Sequence, residues 1–185
     1  MSPIFHPFTV SYGRIVNQIL TEVAVSEAYD VSDKSILPPK QNSVWALWDT
    51  GATRSCFCTP VLEQLNLPPI GTTKFGHAGG SDQCFEYLVN IFLPNNVCII
   101  ATPVMGLSSL NGNFKAIIGM DIISNGDFAI TNSDGQTTVS FRIPSTRKVD
   151  FAFELFSGTD RNLPCPCGAK DQTGKTIKFK HCHGR

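Results

Sequence analysis

The chain carries a single Asp-Thr-Gly tripeptide, residues 49–51, directly after the apolar stretch 44–48. A strand that ends in this tripeptide holds the Asp49 carboxylate at the tip of a tight turn. Gly51 can adopt backbone conformations that a residue with a Cβ atom resists. We therefore expect Asp49 to lie where a carboxylate can activate a water molecule.

Peptide hydrolysis requires a nucleophilic water and a polarised carbonyl group at the same time. Two carboxylates that share one proton can provide both, because like charges a few ångströms apart cannot both ionise. The chain has no second Asp-Thr-Gly or Asp-Ser-Gly. Asp121 lacks the Thr-Gly context, and we expect it to cap or pair locally. The alternative interpretation of residues 49–51 is an ordinary strand-end turn, which arises by chance in roughly one chain in ten of this length.

Short segments rich in β-branched and aromatic residues recur along the chain and predict an all-β body with little helix. The predicted strands are residues 15–25, 43–48, 84–93, 97–103, 114–118, 127–131 and 137–143. Residues 59–65 predict a short helix, with Thr59 as N-cap and Pro60 at the first helical position. Residues 119–124 predict one or two helical turns, and the Gly-rich residues 72–80 predict the tip of a hairpin.

Three segments occur in an order that resembles the retropepsin family, the single-domain aspartic proteases of retroviruses and their cellular and bacterial relatives. They are Asp-Thr-Gly-Ala at residues 49–52, the glycines of residues 76–80, and Ile-Ile-Gly-Met-Asp at residues 117–121. The resemblance covers residues 15–143. It implies a retropepsin-like closed β-barrel, the acid-protease half-fold, with one or two short helices.

The resemblance also implies roles for individual residues. Asp49 would be the catalytic aspartate, Thr50 would link two active-site loops through its hydroxyl, and Gly51 would lie where the backbone approaches the substrate. The active form would be a symmetric homodimer whose twofold axis passes between two Asp49 carboxylates. The implied activity is that of an aspartic endopeptidase, which acts on peptide or protein substrates and needs no cofactor for catalysis.

In the same family a flap closes over the substrate and excludes water. The corresponding substrate-binding residues here are Gly76, His77, Ala78, Gly79 and Gly80. This sequence departs from the viral pattern in two places. The flap tip has His77 and several glycines in place of a strongly hydrophobic tip, and the segment 21–42 is longer than in a minimal viral protease.

Three of the seven Cys residues lie in the last 21 residues, as Cys165-Pro166-Cys167 and Cys182-His183. Close pairs of soft ligands are typical of structural Zn²⁺ sites, which take four ligands such as Cys₃His in a tetrahedron. We predict Cys165, Cys167, Cys182 and His183 as ligands, with His181 as the alternative to His183. Metal binding would supply the folding energy that so short a tail lacks. The alternative is a disordered basic tail with incidental Cys residues.

The tail resembles the SEC-C zinc motif, best known at the C-terminus of the bacterial translocase ATPase. The resemblance rests on Cys-x-Cys-Gly, the basic and aromatic residues 178–180, and Cys-His-Gly, although the middle segment 169–180 is longer than usual. It implies docking to a protein partner. Residues 161–185 carry a net charge of +5, so a nucleic acid is the less favoured second partner.

Length and composition predict three segments: a protease-like domain at residues 1–150, a linker at 151–162 and a zinc motif at 163–185. No apolar run approaches the roughly 20 residues of a membrane span. The N-terminus lacks a basic region followed by an apolar one, so we expect no signal peptide. The odd number of Cys residues suits a reducing compartment, and we expect a cytoplasmic protein.

Two other classes of function remain as hypotheses. The first is a retropepsin-fold domain without catalysis that serves as a dimerisation or peptide-binding scaffold, with the zinc tail as adaptor. The second is a nucleic-acid-associated zinc protein whose β body is structural. The intact Asp-Thr-Gly favours the enzyme over both. Cys56, Cys58, Cys84 and Cys98 are expected to be small buried hydrophobic residues rather than a second metal site.

Overall fold

The structure of the chain, a computed structural model, describes residues 6–77 and 80–184. It divides into two compact units, Met1–Thr146 and Arg147–Arg185. The first unit contains the Asp-Thr-Gly tripeptide, and the second contains the Cys-rich tail.

The first unit is built almost entirely from β-strands. Its strands are β1 (His6–Tyr12), β2 (Leu20–Glu27), β3 (Gln41–Trp48), β4 (Cys56–Cys58), β5 (Gly71–His77), β6 (Gly80–Phe92), β7 (Cys98–Leu107), β8 (Ala116–Ile118), β9 (Asp127–Thr131) and β10 (Thr137–Ile143). Two short α-helices, α1 (Thr59–Glu63) and α2 (Met120–Ile123), and a 3₁₀ turn at Ser133–Gly135 complete it.

Six of these strands close into a barrel in the order β2-β3-β8-β4-β7-β6, and β6 pairs back onto β2. The closing contact runs antiparallel from Ala24↔Phe92 to Glu27↔Val89. β5 pairs with the outer half of β6 as a hairpin that projects from the sheet. Closure satisfies the backbone groups that open sheet edges would leave unpaired. The predicted closed all-β barrel is therefore confirmed.

The remaining strands form a smaller sheet in the order β1-β10-β9. Aromatic side chains join this sheet to the barrel, because Trp48 of β3 packs against Phe128 at 5.4 Å and Phe141 at 5.0 Å between ring centroids. The Trp48 indole N–H donates a hydrogen bond to Thr21 Oγ1 at 2.8 Å. Trp48 is 5% exposed, so the residue immediately before Asp49 is fixed in the core.

The barrel interior is filled by large aliphatic and aromatic side chains. The fully buried ones include Phe57, Leu62, Val104, Ile118 and Ile122. Burial of such a side chain contributes about 1.5–3 kcal/mol to stability. Several of them come from β4, β8 and α2, the elements that flank the Asp-Thr-Gly tripeptide. The tripeptide is therefore supported by tightly packed core side chains.

Two local predictions need correction, and two strands were missed. The second strand begins at Leu20 and not at Ile15. Val16 does not pair with a strand, because its N–H donates a hydrogen bond to the Thr137 side-chain Oγ1 at 3.1 Å. The N-cap of α1 is Cys58 and not Thr59, because Cys58 is the last residue of β4 and keeps an extended backbone. β1 and β4 were not predicted at all.

The second unit contains helix α3 (Phe151–Phe156) and a 3₁₀ turn at Phe179–His181. Two isolated antiparallel bridges, Pro164↔Lys178 and Lys170↔Thr176, bring the two halves of the tail together. Helix α3 lies inside the interval 151–162 predicted as a linker, and the domain boundaries remain a prediction. None of the helices in the described ranges has the length and apolar character needed to cross a bilayer.

Candidate functional site

Asp49 follows directly on β3 and is held by the neighbouring parallel strand. Its backbone N–H donates to the carbonyl of Ile118, the last residue of β8, at 3.0 Å. Its carbonyl accepts the Ala52 N–H at 3.2 Å, which closes the turn. Its Oδ1 accepts the Gly51 N–H at 2.8 Å, and the side chain is half-buried. The carboxylate is therefore oriented by its own turn while remaining accessible.

Gly51 does not have the unusual backbone conformation that the sequence led us to expect. Its φ does not lie in the left-handed region. A Cβ atom at this position would lie 3.2 Å from Asp49 Oδ1. A side chain at position 51 would therefore be in tight contact with the carboxylate, which would have to shift by a few tenths of an ångström. Thr50, between the two, is exposed.

Residues 49–55, here called the Asp-Thr-Gly loop, are held from the other side by the start of α2. The Met120 N–H donates to Ala52 O at 2.8 Å, and the Asp121 N–H donates to Thr53 O at 3.2 Å. Gly119 packs so tightly that a Cβ atom there would lie 2.7 Å from the Arg54 carbonyl carbon. Glycine at 119 therefore permits the helix to approach the loop.

Asp121 holds the far end of the same loop. Its carboxylate accepts the Ser55 N–H at 2.9 Å and the Ser55 hydroxyl at 2.7 Å, and the Gly119 N–H donates to that hydroxyl oxygen at 3.0 Å. Ser55 is fully buried. Buried polar groups of this kind require partners. Asp121 thus has a structural role, as expected, but its partner Ser55 lies 66 residues away in sequence and not in the local segment.

A cleft of about 500 Å³ opens beside Asp49. Its wall is formed by the Asp-Thr-Gly loop and by Lys74, Phe75 and Gly76 of β5. Met105, Leu107 and Ile117 give it an apolar side. The cleft thus combines one accessible carboxylate with apolar surface, as expected of a site that binds a peptide side chain.

Cys56 also lines the cleft but is only 2% exposed. Burial raises the pKa of its thiol to about 12. Because the thiolate is the nucleophilic form of cysteine, Cys56 is inert near neutral pH.

The β5–β6 hairpin contains the residues predicted to form the flap. Gly76 lines the cleft together with Asp49. In the hairpin register His77 pairs with Gly80 and Gly76 pairs with Ser81. The other two predicted residues, Ala78 and Gly79, lie outside the described residues. The substrate-binding role of all five remains a prediction.

In the second unit, one ligand atom from each of Cys165, Cys167, Cys182 and His183 lies within 4.8 Å of the others. We call these four residues the Cys/His cluster. Cys165 Sγ lies 3.4 Å and Cys182 Sγ 3.2 Å from His183 Nδ1, and Cys167 Sγ lies 3.6 Å from Cys182 Sγ. A tetrahedral zinc site has edges of about 3.5–3.8 Å between such atoms. The cluster can therefore hold a metal ion.

The backbone of the second unit presents these ligands. The Cys165 N–H donates to Ile177 O at 2.8 Å, and the Cys182 N–H donates to Phe179 O at 3.0 Å. Gly168 has φ +71°, a left-handed conformation that favours glycine, and lets the chain turn after Cys167. The two pairs of ligands are thus brought together by bridged backbone segments.

The His183 ring is stacked on Phe156 of α3, with ring centroids 4.3 Å apart. Phe156 also contacts Phe179 at 5.8 Å. The stack fixes the plane of the imidazole, whose Nδ1 faces the sulfur atoms. Phe156 was not among the predicted site residues because it lies in the predicted linker. The aromatic residues in that interval could have indicated a packed segment, because a solvent-exposed linker is usually poor in aromatic side chains.

Two thiols of the cluster differ in acidity. The Ala169 N–H donates to Cys167 Sγ at 3.4 Å and lowers the pKa of Cys167. Partial burial raises the pKa of Cys182 to about 11. Metal ligation requires thiolates, so a bound cation would have to draw the proton from Cys182.

No protein-family model and no curated protein matches this sequence. Among solved structures, the chain is similar to EIAV protease complexed with the inhibitor HBY-793, with 22% identity and a TM-score of 0.45 over 62% of this chain and 92% of that one. It is similar to Simian Foamy Virus (mac) protease, with 18% identity and a TM-score of 0.37 over 57% of this chain and 92% of that one.

A third similar structure is a retropepsin-like aspartic protease from Rickettsia conorii, with 10% identity and a TM-score of 0.43. The match covers 76% of this chain and 96% of that one. At these identities and TM-scores the similarity concerns the arrangement of strands.

Proposed function

We propose that this chain is an aspartic endopeptidase that acts as a symmetric homodimer. The observation that carries the proposal is the Asp49 carboxylate, oriented by Gly51 N–H and anchored through Ile118 at the edge of a peptide-sized cleft. An ordinary strand-end turn does not require a second layer of hydrogen bonds from α2. The Asp-Thr-Gly loop has such a layer at Ala52, Thr53 and Ser55.

In this proposal two Asp49 carboxylates, one from each protomer, share a single proton. The ionised carboxylate removes a proton from a water molecule, whose oxygen attacks the peptide carbonyl carbon. The protonated carboxyl group donates a hydrogen bond to the carbonyl oxygen and stabilises the charge that develops there. The pair titrates as a unit. No cofactor takes part in the reaction.

A second copy of the chain is needed because each chain supplies one Asp-Thr-Gly. The exposed position of Thr50 supports this arrangement, since its hydroxyl is accessible to the loop of a partner. Gly51 would then lie where the peptide backbone passes. The hairpin residues Gly76 to Gly80 would close over the bound peptide and exclude water.

For the second unit we propose a structural Zn²⁺ ion held by Cys165, Cys167, Cys182 and His183. The donor set, three thiols and one imidazole whose ligand atoms lie within 4.8 Å of one another, supports zinc over the harder cations. Its role would be that of a SEC-C-like docking module for a protein partner, with nucleic acid the less favoured choice. The odd Cys count supports a reducing, cytoplasmic setting.

The test is cleavage of an unfolded proteome-derived peptide library, read by mass spectrometry, from pH 4 to 8. Wild type and Asp49→Asn are compared at a concentration where sizing shows a dimer. We expect new termini from wild type alone, with a loss of roughly 10³-fold or more in the variant. Equal cleavage by Asp49→Asn would exclude Asp49 as the catalytic group. A dimer that makes no cuts would instead favour the catalytically inactive scaffold.

A further inference from the structure

One wall of the cleft carries a positive charge close to Asp49. Arg54 lies five residues after Asp49, in the same Asp-Thr-Gly loop, and lines the cleft. Its side chain is 33% exposed. An arginine in this position is close to any peptide that reaches the carboxylate, and it is permanently charged.

The contacts of Arg54 leave part of its guanidinium available. Arg54 Nη2 lies 2.5 Å from Glu86 Oε1 of β6 and 3.4 Å from the carbonyl oxygen of Pro103 in β7. A guanidinium carries five N–H donors in a planar fork. Among the described residues, the contacts of Arg54 engage Nη2 alone. The Nε and Nη1 donors can therefore bind a second carboxylate.

The rest of the cleft lining favours an anionic group at this point. Lys74 lies in the same lining, and Asp49 is the sole acidic residue among the described lining residues. Met105 and Leu107 provide apolar surface beside the cations. A side chain with an aliphatic stem and a carboxylate head, such as Glu, matches both the surface and the charge.

We propose that Arg54 is a specificity-determining residue that selects substrates with an acidic side chain beside the scissile bond. The proposal rests on the peptidase function above and names the substrate class of the same cleft. Glu86 is the internal competitor, because it already holds one edge of the guanidinium. Removal of Arg54 should therefore weaken the preference for an acidic substrate side chain, and removal of the Glu86 charge should strengthen it.

The experiment uses pairs of peptides, chosen from the library cuts, that differ only by Glu or Gln at one position beside the cut. The measured quantity is the ratio of kcat/KM for the Glu and Gln peptides at pH 5.5–6.5. For wild type we expect about fivefold in favour of Glu, the upper range for a partly exposed ion pair. Both peptides are measured with the same preparation of each variant. A change in the fraction of folded protein therefore affects both rates equally and does not change their ratio.

In Arg54→Gln the ratio should fall to about one, while in Glu86→Gln it should rise above the wild-type value. Lys34→Gln is the matched control, since Lys34 is exposed in the loop between β2 and β3 and is not part of the cleft lining. The wild-type ratio should also approach one as the pH falls below about 4, where the substrate glutamate is protonated.

The proposal is overturned if wild type does not distinguish Glu from Gln at any position beside the cut. It is also overturned if Arg54→Gln keeps the preference for Glu over Gln. Loss of this preference in Glu86→Gln would overturn it too, because that result would mean that the ion pair has only a structural role. Each of these results leaves cleavage by wild type intact and so leaves the peptidase assignment standing. Absence of wild-type cleavage would contradict the peptidase assignment itself, and this proposal with it.

Discussion

The Asp-Thr-Gly loop of the first unit and the Cys/His cluster of the second position their reactive groups by different means. The loop is fixed by backbone hydrogen bonds from β8 and α2 and by a packed core beneath it. In the second unit Cys165 is the one buried residue among those whose burial is described. Its reactive groups are therefore held by short bridged segments and by one another.

The two sites also differ in completeness. The Cys/His cluster places four groups that could bind a metal ion in one chain. The Asp-Thr-Gly loop supplies one carboxylate, whereas our proposed reaction needs two. A well-packed barrel can keep a single carboxylate in a fixed position without the second carboxylate that a partner chain would supply. A small unit without a core needs its full ligand set within one chain, because ligation is the source of its folding energy.

The sharpest test of this comparison mixes wild type with a ninefold excess of Asp49→Asn. Under random exchange of subunits about one hundredth of the dimers contain two wild-type chains. Activity should therefore fall about tenfold further than dilution of the wild type alone explains, while bound metal per chain stays constant. Activity that follows the wild-type concentration linearly would mean that one chain is sufficient.

Removal of the metal should affect the second unit alone. We expect Cys165→Ser combined with Cys167→Ser to lose about one metal ion per chain and the amide-exchange protection of residues 161–184, because thiolate ligation stabilises the fold. The melting transition of the first unit should not change. Metal analysis and hydrogen exchange measure both effects.

Cys98→Ser is the control for that experiment, since Cys98 lies in β7 outside the cluster. It should retain the metal. A β-barrel that melts together with metal loss would show that the tail is part of its core, and the contrast between the two units would no longer hold.

Asp121→Ala should weaken the support of the Asp-Thr-Gly loop. It leaves the Ser55 N–H and hydroxyl without the acceptor they have now. The free energy of unfolding of the first unit should decrease by about 2 kcal/mol, and kcat should fall roughly tenfold or more as Asp49 is displaced. Denaturant unfolding and peptide kinetics are the measurements.

Asp121→Asn keeps one oxygen for the Ser55 N–H, so it should recover most of the stability and part of kcat. Substrate KM should change little in either variant, because Asp121 is not in the cleft lining. If Asp121→Ala were as active and as stable as wild type, the hydrogen bonds between the Asp121 carboxylate and Ser55 would not be needed to hold the loop.

The smallest effect concerns Asp127 in the three-stranded sheet of the first unit. Hydrogen bonds from Ser145 and Arg142 lower the pKa of Asp127 to about 2. A lowered pKa stabilises the fold above the pKa of the unfolded chain, near 4, and this stabilisation is lost as the pH falls through about 2. Wild type should therefore be more stable than Asp127→Asn at pH 7, and the difference should shrink between pH 4 and 2.

Thermal melts at pH 7, 4 and 2.5 measure that difference. Ser145→Ala removes the largest cause of the lowered pKa. The charge-dependent stabilisation should therefore be smaller than in wild type, and its loss should be complete at a higher pH. A difference between wild type and Asp127→Asn that is constant across this range would show that the Asp127 charge does not contribute.

Much of the first unit could be predicted from sequence because its strands alternate or run as apolar segments between turn residues. β9 and β10 have the predicted bounds, and the turn after β8 leads into α2 as predicted. β1 and β4 could not be predicted, since β1 contains Pro7 and β4 has three residues that are all buried. Such strands are defined by their partners and not by a local pattern.

The sequence by itself determined the chemistry of both sites: one Asp-Thr-Gly, and three Cys with an adjacent His. Residue type and spacing are properties of the sequence and do not depend on how the chain folds. The tertiary structure alone decided which groups meet. It brought Asp121 to Ser55, Arg54 to Glu86 and Phe156 to His183. Two of these pairs are separated by more than thirty residues in sequence, and contacts at that distance depend on strand register and packing, which no local pattern encodes.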